Sequence, residues 1–456
     1  MAIVIVAIAG VAGALAFGAL ATEREFDRLI ADGDSSVAAE RPFQAIEAYS
    51  GAIALKPDSM LVHYKRGAVY QSQNEPEAAL RDFRSAADLD PGSLRAIESL
   101  GDVNMTLGRS ERAVERYEAF VSLDERNARV LYKLGLARYR AGRIKDAMTP
   151  LQQALALDPA MGDAYYVLGL AQRDLDQLTA ARKSLEEAAR RSPASQTSPR
   201  EALAEVYLQD GEHGLAINQL EALAALEPTN ADRVVALGLA QARAGREDAS
   251  VMTLGRAADR FPEAPQVYAA LGHVWLMGAQ RRGDRVALNK AVEALGQAAR
   301  RSDATSETFA ELGRAYLLAG DRLAAERALR QAVAKLPVPP DAYLQLAEVT
   351  ARDGRIQEAR DALLKYATLM GDEKPLASVA AQVADYSVRL GDHALAVRWF
   401  DRAIDEAGPS ATLHLKLAEA AWRAGDVVRA HQVIDEGLAS EPENGPLQQL
   451  RRRIPR

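Results

Sequence analysis

The side chains that most often carry catalysis or bind metals are few in this sequence and lie far apart. None of the six histidines is within four residues of another, so no helix can present two of them to one metal ion. Cysteine is absent, which excludes disulfides and thiolate chemistry. No glycine-rich phosphate-binding loop occurs, and acid pairs such as Glu186 and Glu187 are expected on solvated outer faces. The sequence therefore predicts no catalytic site, no metal and no cofactor.

The charge distribution narrows the choice of partners. The formal net charge is -7, and the only run of basic residues is Arg451 to Arg453. Because proteins bind nucleic acids through clustered Lys and Arg, this composition argues against nucleic acid as the main partner.

Residues 60–93 show the unit that must position any binding surface. Small residues let two helices cross closely, large residues fill the space beside the crossing, and a proline ends the second helix. These residues fall at positions 8, 11, 20, 24, 27 and 32 of a 34-residue period: Gly67, Tyr70, Ala79, Phe83, Ala86 and Pro91.

Twelve copies of this unit follow one another through the sequence. Position 8 is Gly or Ala in every copy, and position 24 is always a large residue. The copies begin at Phe26, Met60, Leu94, Ala128, Gly162, Thr197, Ala231, Pro265, Ser306, Pro340, Ala377 and Ala411. This spacing resembles the tetratricopeptide repeat, a helix-turn-helix unit that stacks into a solenoid. The resemblance covers residues 26–444 and implies an all-α, right-handed α-solenoid of about twelve helix pairs.

The pattern also predicts how the chain is divided. The predicted segments are 26–195 for repeats 1–5, 197–373 for repeats 6–10, 377–444 for repeats 11–12, and 445–456 for a basic capping helix and tail. In the cap, Leu447, Leu450 and Ile454 share one face that should cover the last repeat.

Three places depart from a regular array. Residues 31–36 have low helix propensity, so the first helix is expected to fray there. Residues 192–199 are rich in Ser and Pro and predict either a hinge or a slightly long turn. An insertion at 278–288 is expected to lengthen the turn between the two helices of repeat 8.

The first 21 residues carry no charged side chain. A helix of this length spans about 31 Å, close to the hydrocarbon thickness of a bilayer, which predicts a single-pass anchor in the inner membrane. Residues 19–21 fit a signal-peptidase site, but the lack of a preceding basic residue favours an uncleaved anchor. Arg24 and Arg28 favour cytoplasmic repeats, whereas the peptidase-like site favours export, and the balance falls slightly on the periplasmic side.

A stripe of small residues runs along this predicted anchor. Gly10, Ala14 and Gly18 recur every four residues and would lie on one side of a helix. Helices in lipid associate where small residues let their backbones approach closely. The stripe therefore predicts packing against a transmembrane helix of a partner.

The resemblance places the binding groove on the first helix of each pair, chiefly at positions 2, 5, 9 and 12. Repeats 2 to 5 carry ten candidate groove residues: Tyr64, Glu98, Tyr132 and Tyr166 at position 5, Arg95 and Arg129 at position 2, Leu136 and Leu170 at position 9, and Tyr139 and Arg173 at position 12. Tyr and Arg are enriched at interface hot spots. These residues are therefore predicted to contact a peptide or protein partner, the alternative being that the tyrosines cover neighbouring apolar atoms.

Other charged and histidine positions are predicted to be structural. His63 and His414 stand at position 4, which packs between helices, and His273 alone falls on the inner face. The acids at position 9 in the last repeats are each followed by an Arg four residues later, so they are expected to be neutralised within their own helix. These pairs are Glu348 with Arg352, Asp385 with Arg389, and Glu419 with Arg423.

No repeat combines Lys at position 5 with Asn at position 9, the pair by which chaperone-binding members of this family hold a terminal carboxylate. The sequence instead resembles bacterial tetratricopeptide proteins of envelope assembly, including those of polysaccharide export. This resemblance implies a membrane-anchored scaffold that binds a peptide or protein in its groove. The alternatives are a regulatory adaptor on the cytoplasmic face that recruits a protease or synthase, and an enzyme whose site is not recognised.

Overall fold

Every regular element in the described chain is an α-helix. The computed structural model describes residues 2–193, 195–371 and 377–455, with side chains from Phe17 onward. These ranges contain twenty-five helices and no strand, which confirms the all-helical repeat fold. The helices form two compact units, unit 1 (Met1–Gln219) and unit 2 (Leu220–Arg456).

Unit 1 is built from helices that alternate between the first and second member of a pair. We call the odd-numbered helices A helices and the even-numbered ones B helices. Their bounds are α1 (Ala2–Ala38), α2 (Pro42–Leu55), α3 (Met60–Ser72), α4 (Pro76–Leu89), α5 (Leu94–Thr106), α6 (Ser110–Leu123), α7 (Ala128–Arg140), α8 (Ile144–Leu157), α9 (Gly162–Asp174), α10 (Leu178–Arg191) and α11 (Ser198–Gln209). The helix α12 (His213–Leu226) contains the boundary between the units.

Unit 2 continues the same alternation. Its helices are α13 (Ala231–Arg243), α14 (Glu247–Arg260), α15 (Pro265–Arg282), α16 (Arg285–Ala299), α17 (Ser306–Ala319), α18 (Arg322–Ala334), α19 (Pro340–Arg352), α20 (Ile356–Met370), α21 (Ala377–Arg389), α22 (His393–Ala407), α23 (Ala411–Arg423), α24 (Val427–Ser440) and α25 (Gly445–Arg453). Ten of the twelve predicted starting residues are the first residues of A helices. The predicted boundaries of the larger segments stay predictions.

The crossing of each helix pair depends on the small and large residues of the repeat. A methyl group added to Gly135 on α7 would lie 2.5 Å from Leu151 Cγ on α8, closer than two carbon atoms can approach. Gly169 on α9 stands in the same relation to Leu185 on α10, at 2.6 Å. Both leucines are fully buried. Positions 8 and 24 therefore form the close contact that the sequence predicted.

Many of the A helices are followed by a glycine in the left-handed backbone conformation. Gly142 follows α7 with φ of +78°, a left-handed conformation that side chains beyond glycine rarely adopt. Its N–H donates to the carbonyl of Tyr139 at 3.0 Å, and the N–H of Arg143 donates to that of Arg138 at 2.9 Å. These two bonds satisfy carbonyls that the helix end would leave unpaired.

The amino-terminal helix corrects two predictions. In the part of the chain that the structure describes, no helix has both the length and the apolar character needed to cross a membrane. The predicted single-pass anchor at residues 1–21, and with it the inner-membrane location, is therefore wrong. The described part of α1 carries charged side chains from Glu23 onward, and moving such groups from water into lipid is costly. The helix also continues unbroken through residues 31–36, where fraying was expected.

Of the predicted transmembrane stripe, only Gly18 has a described side-chain environment. It is exposed, and no atom lies within 4 Å of the position that a methyl group would take. Gly10 and Ala14 lie outside the residues whose side chains are described.

The insertion in repeat 8 lengthens a helix, where a longer turn was expected. The A helix α15 runs for 18 residues, against 13 in α13, and ends only at Gly283, which has φ of +66°. Asp284 then caps α16 by accepting from Val286 N at 2.8 Å. The inserted residues before Gly283 are mostly helix formers, so nothing stops the helix earlier.

The carboxyl-terminal helix α25 is the cap that the sequence predicted. Leu447, Leu450 and Ile454 are buried against the last repeat. The Asn444 side chain accepts from Leu447 N at 3.2 Å and so caps the helix. Arg451 lies outward and pairs with Asp435 at 3.2 Å.

Candidate functional site

In unit 1, most of the predicted groove residues contact neighbouring side chains of the array. Arg129 Nη2 donates to Glu98 Oε2 at 2.8 Å, and Lys133 Nζ donates to the other oxygen of the same carboxylate at 2.7 Å. Glu98 lies on α5 and both cations lie on α7, so these bonds join successive repeats. The Glu98 side chain is 13% exposed. Glu98 therefore stabilises the array, and little of its charge is left for a partner.

A second ion pair recurs between successive A helices. Lys133 Nζ donates to both oxygens of Asp102 at 2.7 Å, and the hydroxyl of buried Tyr117 donates to Asp102 Oδ1 at 2.7 Å. Asp102 stands at position 9 of its repeat and Lys133 at position 6 of the next, so we call this the 9-to-6 ion pair. It recurs between Lys65 and Asp34 at 2.6 Å and between Lys416 and Asp385 at 2.8 Å.

The sequence carries the signal for this pairing, which the groove prediction did not use. In all three cases an Asp is followed by a Lys 31 residues later. A stack of repeats places these positions beside each other, so the regular offset predicts a contact between neighbours. Position 9 therefore serves cohesion in these repeats.

Two further predicted residues are tied to the repeat that follows them. The Tyr139 hydroxyl donates to Asp174 Oδ2 at 2.7 Å, and burial together with this bond raises the pKa of Tyr139 to about 12. Arg173 donates to the same Asp174 at 3.0 Å and to Glu205 at 2.7 Å. Both side chains therefore hold neighbouring helices together.

The remaining predicted groove residues mostly contact the core. Tyr132 and Leu136 pack against the buried cluster around Leu151, and Tyr166 and Leu170 pack against that around Leu185. Burial raises the pKa values of Tyr132 and Tyr166. This packing agrees with the alternative stated above, in which the tyrosines cover neighbouring apolar atoms.

The last two predicted groove residues, Tyr64 and Arg95, differ in how far they are exposed to solvent. The Tyr64 ring is tilted against that of buried Phe83, with the ring centroids 5.5 Å apart. Arg95 is exposed on α5. Of the ten predicted groove residues, Arg95 and Arg129 are thus the two that present most of their side chain to solvent.

Predictions for structural histidines are confirmed. His63 is 9% exposed, and its Nε2 lies 3.0 Å from the carbonyl of Pro57. His414 is buried, and its Nδ1 donates to the carbonyl of Ser410 at 2.8 Å.

The acidic row at position 9 is neutralised, although only partly as predicted. Glu348 pairs with Arg352 at 2.6 Å, and Glu419 lies 4.0 Å from Arg423. Asp385 pairs with Lys416 of the next repeat. Arg389, its predicted partner, lies over the Tyr386 ring.

Three A helices of unit 2 border an open cavity that the sequence did not reveal. Its volume is about 480 Å³, and it lies between α13, α15 and α17. Its apolar wall includes Val235, Leu239, Ala242, Ala269 and Met277. Val235 and Ala269 stand at position 5, Leu239 at position 9 and Ala242 at position 12. The cavity is thus lined by the positions that the resemblance assigned to partner binding.

Small residues create this cavity. At position 5, α13 and α15 carry Val235 and Ala269, and at position 12 α13 carries Ala242, whereas α7 in unit 1 carries Tyr132 and Tyr139 at these positions. The tyrosines of unit 1 fill the space beside their helices, and the shorter side chains of unit 2 leave it open. This contrast was the sequence signal that could have located the cavity.

One end of the cavity is polar. His273 on α15 is hydrogen-bonded through Nδ1 to Glu311 on α17. His273 stands at position 9 and Glu311 at position 6 of the next repeat, so this is the 9-to-6 ion pair with its charges reversed. The hydrogen bond with Glu311 raises the pKa of His273, and the charges of Glu311 and Glu307 add to that effect. The imidazole is thereby favoured in its protonated form.

Two more carboxylates flank this pair. Asp303 precedes α17 and Glu307 lies in its first turn, and both are exposed residues that line the cavity. Partial burial of its carboxyl group and the charge of Glu311 raise the pKa of Glu307, against the opposing effect of His273. Arg243, exposed at the end of α13, is the other cation on the lining. The polar end therefore carries three carboxylates against one Arg and one His.

Metal binding has no candidate site in the described ranges. No group of three or more His, Cys, Asp or Glu side chains there is arranged to hold an ion. The cavity as it stands offers an apolar wall and a set of charges, which suits binding of a polypeptide segment.

Comparisons with solved structures return other helical-repeat proteins. YrrB, described as a TPR protein with an unusual peptide-binding site, is 21% identical over 40% of this chain and 94% of its own, with a TM-score of 0.36. PilF of Pseudomonas aeruginosa is 22% identical over 46% of this chain and 94% of its own, with a TM-score of 0.38. PilW, a type IV pilus biogenesis factor, is 18% identical over 46% of this chain and 98% of its own, with a TM-score of 0.40.

Family models give the clearer result. No curated protein matches the chain. A tetratricopeptide repeat model matches residues 99–161, 151–196, 201–272 and 310–376, together more than half of the chain. A TPR repeat model matches residues 43–74, and a second tetratricopeptide repeat model matches residues 388–454. The chain therefore belongs to the tetratricopeptide repeat family.

Proposed function

We propose that this protein holds a segment of a partner polypeptide against the A helices of unit 2, with one apolar side chain inserted into the cavity. The repeats make it a protein–protein interaction scaffold, and repeats of this kind are typically non-catalytic. The observation that carries the proposal is the cavity of about 480 Å³ between α13, α15 and α17. Pockets that bind peptides and small ligands have about this size, from roughly 300 to 1,000 Å³.

The lining of the cavity supports an apolar anchor. Val235, Leu239 and Ala269 are half-buried and form a wall with few groups that need hydrogen bonds. Covering such a wall removes apolar surface from water, which contributes about 25 cal/mol per Å² before the costs of ordering the partner. Met277 adds a flexible side chain that adapts its shape to what is bound.

The predicted groove of unit 1 remains a separate proposal. Arg95 and Arg129 are its exposed side chains, and the outer edges of Tyr132 and Tyr166 are accessible beside them. We propose that these residues contribute a weaker contact, because most polar groups on that face are already paired. A role in envelope or polysaccharide assembly also stays a prediction from the resemblance.

A displayed library of random peptides tests the proposed site. The full chain is used to select binders, and the selection is repeated with Ala269→Phe, whose ring would fill the cavity. Met252→Phe is the matched control, since Met252 is 53% exposed on the B helix α14 and does not line the cavity. Thermal unfolding of each variant confirms that it is folded.

The expected result is a consensus with a bulky apolar residue on the native chain and on Met252→Phe. Ala269→Phe should lose that consensus because its ring occupies the space for the apolar side chain. Recovery of the same consensus with equal affinity on Ala269→Phe would contradict the proposal.

A further inference from the structure

The cavity of unit 2 has an acidic end as well as an apolar wall. We propose that it selects a segment in which a bulky apolar side chain is adjacent to a Lys or Arg, with the cation held between Asp303 and Glu307. This inference rests on the proposed function and names the class of partner segment that the same site takes.

The first argument is the balance of charge on the lining. Asp303, Glu307 and Glu311 supply three carboxylates at one end of the cavity. His273 is bonded to Glu311 and neutralises it within the protein. Among the described residues, neither Asp303 nor Glu307 has an ion-pair partner within 4.0 Å, so both charges are open to a ligand.

The cations nearest to these carboxylates are committed elsewhere. Arg301, two residues before Asp303, pairs with Glu263 and donates to the carbonyl of Pro262 at 3.0 Å. Arg243 acts on His273, whose pKa it lowers, and lies at the end of the opposite helix α13. His273 acts on Glu307, but it does not outweigh the combined effect of burial and of Glu311, so the carboxylate of Glu307 is not neutralised within the protein.

The environment of Glu307 favours the arrival of a positive charge. Burial and the repulsion of Glu311 make its carboxylate less stable than in water, which is why its pKa is raised. A Lys or Arg side chain beside it would relieve that repulsion. A carboxylate of a ligand would instead meet three like charges at this end, where Arg243 is the only lining cation besides His273.

The apolar wall and the acidic end meet at α15, whose His273 is bonded to Glu311 on α17. Ala269 stands one turn before His273 on α15, and Glu307 stands one turn before Glu311 on α17. A single extended segment can therefore place one side chain against the wall and its neighbour at the acidic end. The combination, and neither feature alone, defines the ligand class.

Binding of short synthetic peptides to the full chain tests this inference. The probes contain a central Leu-Lys, Leu-Gln or Leu-Glu pair flanked by glycines, with both ends blocked, and fluorescence anisotropy measures their affinities. We expect the Leu-Lys peptide to bind about two- to five-fold more tightly than Leu-Gln, the gain of a partly exposed ion pair, and Leu-Glu to bind most weakly. Raising the salt concentration should reduce the difference.

Variants locate the preference. Glu307→Gln should bring the ratio of Leu-Lys to Leu-Gln affinities close to one, because the charge that favours Lys is gone. Glu293→Gln is the matched control, since Glu293 is exposed on the B helix α16 and does not line the cavity. It should keep the native ratio.

The outcomes separate the inference from the proposed function. Equal binding of Leu-Lys and Leu-Gln, or tighter binding of Leu-Glu, would overturn the inference and leave the apolar pocket standing. Failure of all three peptides to bind, together with no selection from the random library, would overturn both. A preference for Lys that survives Glu307→Gln would place the cation elsewhere and also overturn the inference.

Discussion

Removing the Asp102 carboxylate should destabilise the junction between α5 and α7. The expected cost in free energy is larger than that of losing an exposed ion pair. Tyr117 is 1% exposed, and its hydroxyl donates to Asp102 at 2.7 Å. A buried donor left without an acceptor costs about 1–3 kcal/mol. The partly exposed pair with Lys133 adds about 0.2–1 kcal/mol. We therefore expect Asp102→Ala to lower the stability of this junction by about 1–4 kcal/mol.

A double-mutant cycle with Tyr117→Phe measures the part that comes from the buried hydroxyl. Repeat arrays unfold locally, so amide hydrogen exchange of α5 to α7 in the full chain is the suitable assay. In the Tyr117→Phe background, Asp102→Ala should cost less stability, by about 1 kcal/mol or more. Phe has no hydroxyl, so no buried donor is left without an acceptor. Glu115→Ala, at an exposed position on α6, is the control and should change little. An equal cost of Asp102→Ala in both backgrounds would refute the reasoning.

Other changes test the packing and the titration of the A helices. Ala147→Leu should overpack a fully buried helix crossing and lower stability by about 1–3 kcal/mol; an unchanged melting temperature would contradict the assigned contact. Tyr132→Ala with Tyr166→Ala should destabilise unit 1, because both rings contact the core; unaltered thermal unfolding would show that they do not support it. The bond to Glu311 raises the pKa of His273, so the pair stabilises unit 2 below pH 6.5, the ordinary His value, and this contribution is lost as the pH rises through the raised value. His273→Gln should remove that loss, and identical pH profiles of unfolding for the two proteins would contradict it.

Much of the fold could be predicted because the same pair of small and large residues recurs in each repeat. Gly135 and Leu151 show why: a small residue facing a large one fixes where two helices cross, and both residues are visible in the sequence. The cap at α25 was predictable for the same reason, since three apolar residues share one helical face.

The site was harder to predict because it depends on the space that small side chains leave open and on contacts with side chains of the next repeat. Glu98 looked available from its position, yet Arg129 and Lys133 reach it from the following helix. The cavity exists where Ala242 and Ala269 replace larger side chains, and a pattern search for interface residues passes over alanine. A comparison of side-chain size at equal repeat positions would have found the cavity.

Methionine methyl resonances offer the most direct test that a partner segment enters the cavity of unit 2. Met277 lines the cavity, Met252 lies outside it on α14, and Met148 and Met161 pack beside Tyr132 in unit 1. The full chain, labelled at its methionine methyl groups, is titrated with the blocked Leu-Lys peptide and followed by NMR. The Met277 resonance is predicted to shift in proportion to the bound fraction while that of Met252 stays unchanged. Binding with an unmoved Met277, accompanied by shifts at Met148 or Met161, would contradict the proposed site and place the partner on unit 1.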